Sequence, residues 1–328
     1  MVVKKMTEKI VVLDPISQER ADELRELLPE GFVLECGRGF SDEDLKVAIA
    51  DADYAISGQI GVSGDVLRSA TRLKLLHKWG VGVDNLDLLA ARELGIKVAR
   101  TTGSNALSVA EYTIGLIITV LRGIGYGHHH LKGGDWRGIT KLPTPTYQLS
   151  GKKVGIIGFG AIGQNVARLL KSFDAEVLYA KRSALPSQSE FHNFAKRASI
   201  DEIIETADII CLHCPLTEET KNLIGEKELR AMKPTASLIN VARGGVVDES
   251  ALFNALQSGQ IHGAAMDVFM AEPLPPDSPL LTLDNIVVTP HLGAVTKDTF
   301  EPTVSRMFDN IMRVSKGLPV PEKDLVVP

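Results

Sequence analysis

Apolar and polar positions along the chain alternate between two periods. The short β-branched runs Ile10–Leu13, Tyr54–Ser57, Leu73–His77 and Lys97–Ala99 carry the strand pattern. Between them Ser17–Leu28, Asp42–Ala50 and Leu86–Leu94 carry the helical one. This βαβ rhythm predicts a parallel sheet covered on both faces. From Ser104 to about His130 the pattern predicts one long helix, capped by Ser104 or Asn105. Gly133–Gly151 is polar and rich in Gly and Pro, and predicts a loop that packs on another surface such as a second subunit. The rhythm restarts at Lys153, with strands at Val154–Ile157, Glu176–Tyr179, Ile209–His213, Ser237–Asn240, His262–Val268 and Ile286–Thr289. Helices are expected near Ala161–Ser172, Asp201–Thr206, Glu226–Ala231 and Glu249–Ser258. Val295–Lys316 closes the chain as a helix that Pro302 is expected to kink or delay. Two α/β units joined by long helices predict two lobes with a ligand cleft between them.

Composition narrows the function classes. A length of 328 residues exceeds what one hydrophobic core usually serves, so two domains are expected. With 44% hydrophobic and 23% charged residues the chain reads as globular rather than disordered. The net charge of −5 is spread along the chain without a basic block, which argues against a nucleic-acid partner. Met1–Lys9 lacks the apolar run of a signal peptide. Ile114–Leu121, the most apolar stretch, is far short of the roughly 20 residues of a membrane span. Three cysteines, Cys36, Cys211 and Cys214, form no disulfide framework and suit a reducing cytoplasm.

Chemistry concentrates in four segments. Lys153–Ile157 runs into Gly158-Phe159-Gly160-Ala161-Ile162-Gly163 and then into a helix, which is G-x-G-x-x-G in its working context. Gly158 permits the tight turn, Gly160 lets backbone approach a pyrophosphate, and Gly163 lets the helix sit on the strand. The helix start offers amide donors to phosphate. Past three later strands stand Arg243, Glu272 and His291. Ligands of open α/β sheets bind at the carboxyl ends of strands. Arg243 suits a two-point grip on a carboxylate and carbonyl. His291 suits proton transfer, and Glu272 suits orienting its ring and favouring the imidazolium. Singly each has a plainer reading: a salt-bridge partner, a solvated loop charge, a helix-cap neighbour. Jointly they fit reduction of a small 2-oxo acid by hydride.

Other signals carry less. Cys211-Leu212-His213-Cys214 spells C-x-x-C but lies in a strand rather than at a helix start, so no metal or redox use is expected. Consecutive histidines at His128, His129 and His130 point about 100° apart on a helix and cannot converge on one ion. Trp79 reads as packing. Lys78 reads either as a solvated charge or as a ligand for an anionic substrate group.

The chain resembles the D-isomer-specific 2-hydroxyacid dehydrogenases over nearly its whole length. The likeness rests on Gly80–Asp87 (GVGVDNLD), Asn105–Glu111 (NALSVAE), the glycine loop, Leu212–Thr217 (LHCPLT), Asn240–Asp248 and Thr289–Ala294. The resemblance implies two doubly wound lobes. A Rossmann-type nucleotide lobe at 104–297 is inserted into a flavodoxin-like substrate lobe at 1–103 and 298–328, and a homodimer forms through the nucleotide lobe. By the same matching Arg243 is the substrate arginine, His291 the acid–base and Glu272 its partner. Asp267 holds the nicotinamide amide, and the amides of Val81 and Gly82 hold the substrate carboxylate. Thr113, Pro215, Thr220 and Val241 also fall among the cofactor residues. Two departures stand out. Strand Glu176–Tyr179 ends in Ala180-Lys181-Arg182-Ser183, without the acid that usually binds the adenosine ribose. Lys181, Arg182 and Ser183 together predict NADP(H) preferred over NAD(H). The sequence also reaches Pro328 without the regulatory extension of longer phosphoglycerate dehydrogenases. The expected function is reduction of glyoxylate or hydroxypyruvate to a D-2-hydroxy acid. The alternatives are a phosphoglycerate dehydrogenase without a regulatory domain and a non-enzymatic dinucleotide-sensing corepressor.

Overall fold

The computed structural model describes residues 7–136 and 141–328. In chain order the strands are β1 (Glu8–Val12), β2 (Phe32–Cys36), β3 (Tyr54–Ser57), β4 (Leu75–Lys78), β5 (Lys97–Ala99), β6 (Lys153–Ile157), β7 (Glu176–Ala180), β8 (Ala195–Arg197), β9 (Ile209–Leu212), β10 (Ser237–Asn240), β11 (Gly263–Met266), β12 (Ile286–Val288) and β13 (Leu325–Val327). The α-helices are α1 (Gln18–Glu26), α2 (Asp42–Ile49), α3 (Gly64–Ser69), α4 (Leu88–Glu93), α5 (Ala106–Arg122), α6 (Ile124–Lys132), α7 (Ala161–Lys171), α8 (Ile200–Thr206), α9 (Glu226–Ala231), α10 (Glu249–Gln257) and α11 (Lys297–Ser315). They make two compact units, Met1–Asn105 with Thr296–Pro328, and Ala106–Val295.

The first unit holds a sheet of order β13-β5-β4-β3-β1-β2, parallel except for β13. Its parallel part has the flavodoxin-like order 2-1-3-4-5. Alternate residues of β1 enter opposite cores: Val11 packs with Leu45, Ile49 and Leu76, and Ile10 and Val12 with Phe308 and Ile311 of α11. Thus helices cover both faces, as the βαβ rhythm required. β2 and β13 were not legible in the pattern. β2 (FVLEC) is a short edge strand whose residues are mostly half-buried or exposed, and the antiparallel pairing of β13 with β5 is a contact between chain-distant segments.

In the second unit seven parallel strands run in the order β12-β11-β10-β9-β6-β7-β8. Read from β8 to β11 this is the dinucleotide-fold order 3-2-1-4-5-6, which reverses direction between β6 and β9. One face packs on α8, α9 and α10, the other on α5 and α7.

Two expectations are corrected. The single long helix is two, α5 and α6, bent by 69°. The break falls at Gly123, whose φ of 60° lies in the left-handed region that glycine alone enters freely. Val295–Lys316 begins two residues late, at Lys297, capped by the Thr296 hydroxyl, and Pro302 lies inside α11. The loop 133–151 includes 137–140, which lie outside the described residues. Its described part packs on its own unit: Tyr147 donates its amide to Leu121, and His262 Nε2 lies 2.7 Å from the Pro145 carbonyl. Among the described residues no single helix is long and apolar enough to cross a membrane.

Candidate active site

Strands β10, β11 and β12 are neighbours, so their carboxyl ends share one edge. At the end of β10, Asn240 donates its side-chain amide to the Arg243 carbonyl (2.9 Å) and accepts from the Ala242 amide (3.0 Å), folding the turn that carries Arg243. At Gly244 a Cβ would lie 1.9 Å from the Phe269 carbonyl carbon, so only glycine lets this turn press against the β11 loop. Asp267, 2% exposed, accepts the Thr289 hydroxyl (2.7 Å) and the amides of Leu292 (2.8 Å) and Gly293 (2.9 Å). Its carboxylate therefore binds the β11 loop to the loop after β12. His291 sits in that turn with φ 55°, a left-handed conformation that a histidine adopts only when its surroundings impose it.

Glu272 closes the constellation. Its Oε1 accepts the Phe269 amide at 3.0 Å, and its Oε2 lies 2.8 Å from His291 Nδ1. Burial pushes the Glu272 carboxyl up. The bonds from His291 and Phe269 and the charges of His291 and Arg243 outweigh that and hold it below the usual range. An ionised Glu272 fixes the ring with Nδ1–H toward it, leaving Nε2 to exchange a proton with a ligand. Arg243, Glu272 and His291, predicted as a set, are thus brought together by the sheet.

The glycine loop follows β6 at the point where strand order reverses. A Cβ at Gly158 (φ 99°) would meet His213 and Cys214 backbone at 2.4–2.5 Å, and one at Gly163 would meet the Gly158 carbonyl oxygen at 2.4 Å. Gly160 is different. Its φ is an ordinary −84°, and a Cβ there would meet nothing within 4 Å. The fold thus requires glycine at Gly158 and Gly163, whereas the space beside Gly160, at the start of α7, is open. That space, with Ala161 and Ile162 beginning the helix, fits a pyrophosphate.

The other predicted cofactor residues divide. Lys181, Arg182 and Ser183 follow β7 directly, and among the described residues Arg182 makes only a long, solvent-exposed ion pair with Glu219 (3.8 Å). Arg197, which sequence reasoning missed, donates to the carbonyls of Lys181 (2.8 Å) and Arg182 (3.1 Å), making three cations at this tip. Its only signal is the β7–β8 register, which sets Arg197 beside Tyr179. Pro215 and Thr220 lie in the loop after β9, where the Thr220 hydroxyl donates to the Pro215 carbonyl (2.6 Å). Val241 is buried in the turn after β10. Thr113 is fully buried, and its hydroxyl donates to the Val109 carbonyl of its own helix (2.7 Å).

Lys78 is a correction. It is 7% exposed rather than solvated, and its ammonium donates to the Gly58 carbonyl and to Asn85 Oδ1 (2.8 Å), bracing the loops after β3 and β4. The amides of Val81 and Gly82 lie in that second loop and donate to no described residue. His213 was also passed over, hidden inside the C-x-x-C reading. Both of its ring nitrogens are buried without a partner among the described residues, and burial pushes its pKa down to about 3. The flanking Cys211 and Cys214 are buried thiols held in the neutral form, Cys214 pushed up to about 11. Among the described residues no three His, Cys, Asp or Glu side chains are grouped to hold a metal ion.

Comparison with known proteins identifies the family. Residues 114–293 match the family model described as D-isomer specific 2-hydroxyacid dehydrogenase, NAD binding domain. The chain is 37% identical to the D-3-phosphoglycerate dehydrogenase of Methanocaldococcus jannaschii over 310 residues, 94% of this chain and 58% of that one. It therefore spans under two thirds of that relative's length. It is 39% identical to the glyoxylate reductase of Thermofilum pendens over 267 residues, 78% of this chain and 76% of that one. Among solved structures, the NAD-dependent formate dehydrogenase of Staphylococcus aureus in complex with NAD superposes with a TM-score of 0.86 at 32% identity, covering 98% of this chain and 99% of that one. The chain belongs to the D-isomer specific 2-hydroxyacid dehydrogenase family, and the unit carrying Arg243, Glu272 and His291 is its nicotinamide-dinucleotide fold.

Proposed function

We propose that the chain reduces a small 2-oxo acid of the glyoxylate or hydroxypyruvate type to the D-2-hydroxy acid, preferring NADPH to NADH. The observation that carries this reading is the 2.8 Å pair between His291 and Glu272 beside Arg243. A protein that only sensed a dinucleotide would have no use for a paired imidazole, which speaks against a corepressor. Lys78, a single cation bonded to Gly58 and Asn85, is a thin basis for binding a phosphorylated substrate.

When bound, the nicotinamide ring supplies or accepts the hydride. The cradle at Gly158, Gly160 and Gly163 holds the pyrophosphate. Arg243 grips the substrate carboxylate and polarises its carbonyl; in the other unit the amides of Val81 and Gly82 are donors for a carboxylate. His291 delivers the proton from Nε2 during reduction and takes it back in oxidation. Glu272 keeps the ring oriented. Lys181, Arg182 and Ser183 receive the 2′-phosphate of NADPH. The enzyme works in the cytoplasm as a homodimer formed through the unit 106–295.

A panel of 2-oxo acids, each offered with NADPH and NADH, tests this. Turnover of glyoxylate or hydroxypyruvate, a D product by chiral analysis and a lower KM for NADPH are expected. The double change Lys181→Asp with Arg182→Ala should lower the NADPH preference at least about tenfold, the effect of one lost charge-assisted bond. An L product, or wild type using NADH as well as NADPH, overturns the corresponding part of the reading.

A further inference from the structure

In the unit that carries β1 to β5, the loop after β4 lies against the chain that leaves β5. The Gly80 carbonyl accepts both the amide (3.0 Å) and the hydroxyl (3.2 Å) of Thr101. The next carbonyl, Val81, accepts from Arg100 Nη1 at 3.3 Å, while Arg100 Nε donates to the Thr102 hydroxyl at 3.1 Å. In a trans peptide the N–H points opposite to the C=O. Two successive carbonyls turned toward 100–102 therefore turn the amides of Val81 and Gly82 away from it, and neither amide donates to a described residue. Consecutive unspent amides of this kind form an anion-binding concavity.

Arg100 itself is half-buried, and among the described residues no carboxylate lies within ion-pair distance of it. A partly desolvated guanidinium bonded only to neutral oxygens is costly unless an anion shares its surroundings. Its contact is with the one peptide group whose other end is the Gly82 N–H. A cation on that carbonyl draws electron density through the amide and strengthens the N–H as a donor, since linked hydrogen bonds polarise one another.

We propose that Arg100 is a positioning residue for the substrate carboxylate. It holds the Val81–Gly82 peptide in the donating orientation, raises the strength of the Gly82 donor, and adds the positive charge that selects 2-oxo acids over uncharged carbonyl compounds. That the anion is a 2-oxo acid rests on the function proposed above; the anion site itself does not.

The test compares wild type with R100Q and R100K, each checked by thermal melting. Glyoxylate and its uncharged methyl ester are the substrates, and oxalate is the binding probe, followed by the NMR shift of the Gly82 amide. In R100Q the KM for glyoxylate and the Kd for oxalate should each rise about tenfold or more, with the ester unaffected. R100K should recover part of the loss, because it restores the charge but not the two-point grip. Addition of oxalate should move the Gly82 amide resonance in wild type more than in R100Q. Equal losses on glyoxylate and ester would mean that Arg100 is merely structural and would overturn the proposal, as would an unchanged oxalate Kd in R100Q. Should wild type reduce no 2-oxo acid, the proposed function falls, while the oxalate measurements still decide the role of Arg100.

Discussion

His291 shows how much one residue owes to its neighbours. Its backbone is left-handed, its amide is bonded to the Asp267 carbonyl at 2.9 Å, and its ring is aimed by Glu272. General acid catalysis contributes roughly 10²–10⁴-fold, so His291→Ala should lower turnover within about that range while dinucleotide affinity is retained. Reduction needs the imidazolium and oxidation the neutral ring. Reductive kcat/KM should fall as pH rises through the free-enzyme pKa, and oxidative kcat/KM should rise; parallel profiles would remove His291 from this role. The residue pattern made the histidine and its two partners legible, because residue type and placement past a strand are properties of the chain. It could not show that the Asp267 oxygens are occupied by Thr289, Leu292 and Gly293, since those bonds join segments more than 20 residues away.

Among elements, the β6–α7 junction separates a demand of the fold from a demand of the ligand. Gly163→Ala would drive a Cβ into the Gly158 carbonyl and should lower the melting temperature. Gly160→Ala meets nothing in the protein, so it should melt like wild type while losing dinucleotide affinity. Equilibrium binding and thermal melting of the two variants check both halves. A Gly160→Ala variant that binds NADPH normally would mean that no phosphate approaches this turn. At this scale the pattern found most elements but missed β2, β8, β13 and α3. β2 and β8 carry charged residues within three to five positions, which masks the apolar run of a strand. It also ran α5 into α6, because the apolar spacing continues across Gly123 while the backbone does not.

On the scale of the whole molecule, acid should lower stability before its carboxylates titrate. His77 in one unit is pushed down to about 4, mainly by burial and also by the Arg306 charge, which outweigh its bond to the Lys78 carbonyl and the Asp324 charge. His213 in the other is pushed down to about 3 by burial alone. Their ordinary value is 6.5. Below it the unfolded chain takes up protons that the folded chain refuses until about pH 4 and 3. Stability is therefore full above pH 6.5 and falls as pH drops, by about 1.4 kcal/mol per pH unit for each proton so linked. Urea unfolding between pH 7.5 and about 4.5 should show this slope. His77→Gln, which can still bond Asn310 but does not titrate, should reduce it by up to one proton. A slope unchanged in that variant would mean that His77 is not held neutral.

The amino-acid sequence by itself determined the two α/β units and singled out the glycine loop, Arg243, Glu272 and His291 as candidates. Hydrophobic period, turn chemistry and functional residue type are local properties that survive without a partner segment. Tertiary structure alone decided which groups are spent and which are free. Lys78 looked available and is bonded to Gly58 and Asn85. Arg197 and Arg100 carried no motif, and acquired meaning through the carbonyls they meet, 15 to 19 residues away along the chain. A side chain's hydrogen-bonding capacity is written in its type, but its remaining capacity depends on every segment folded against it.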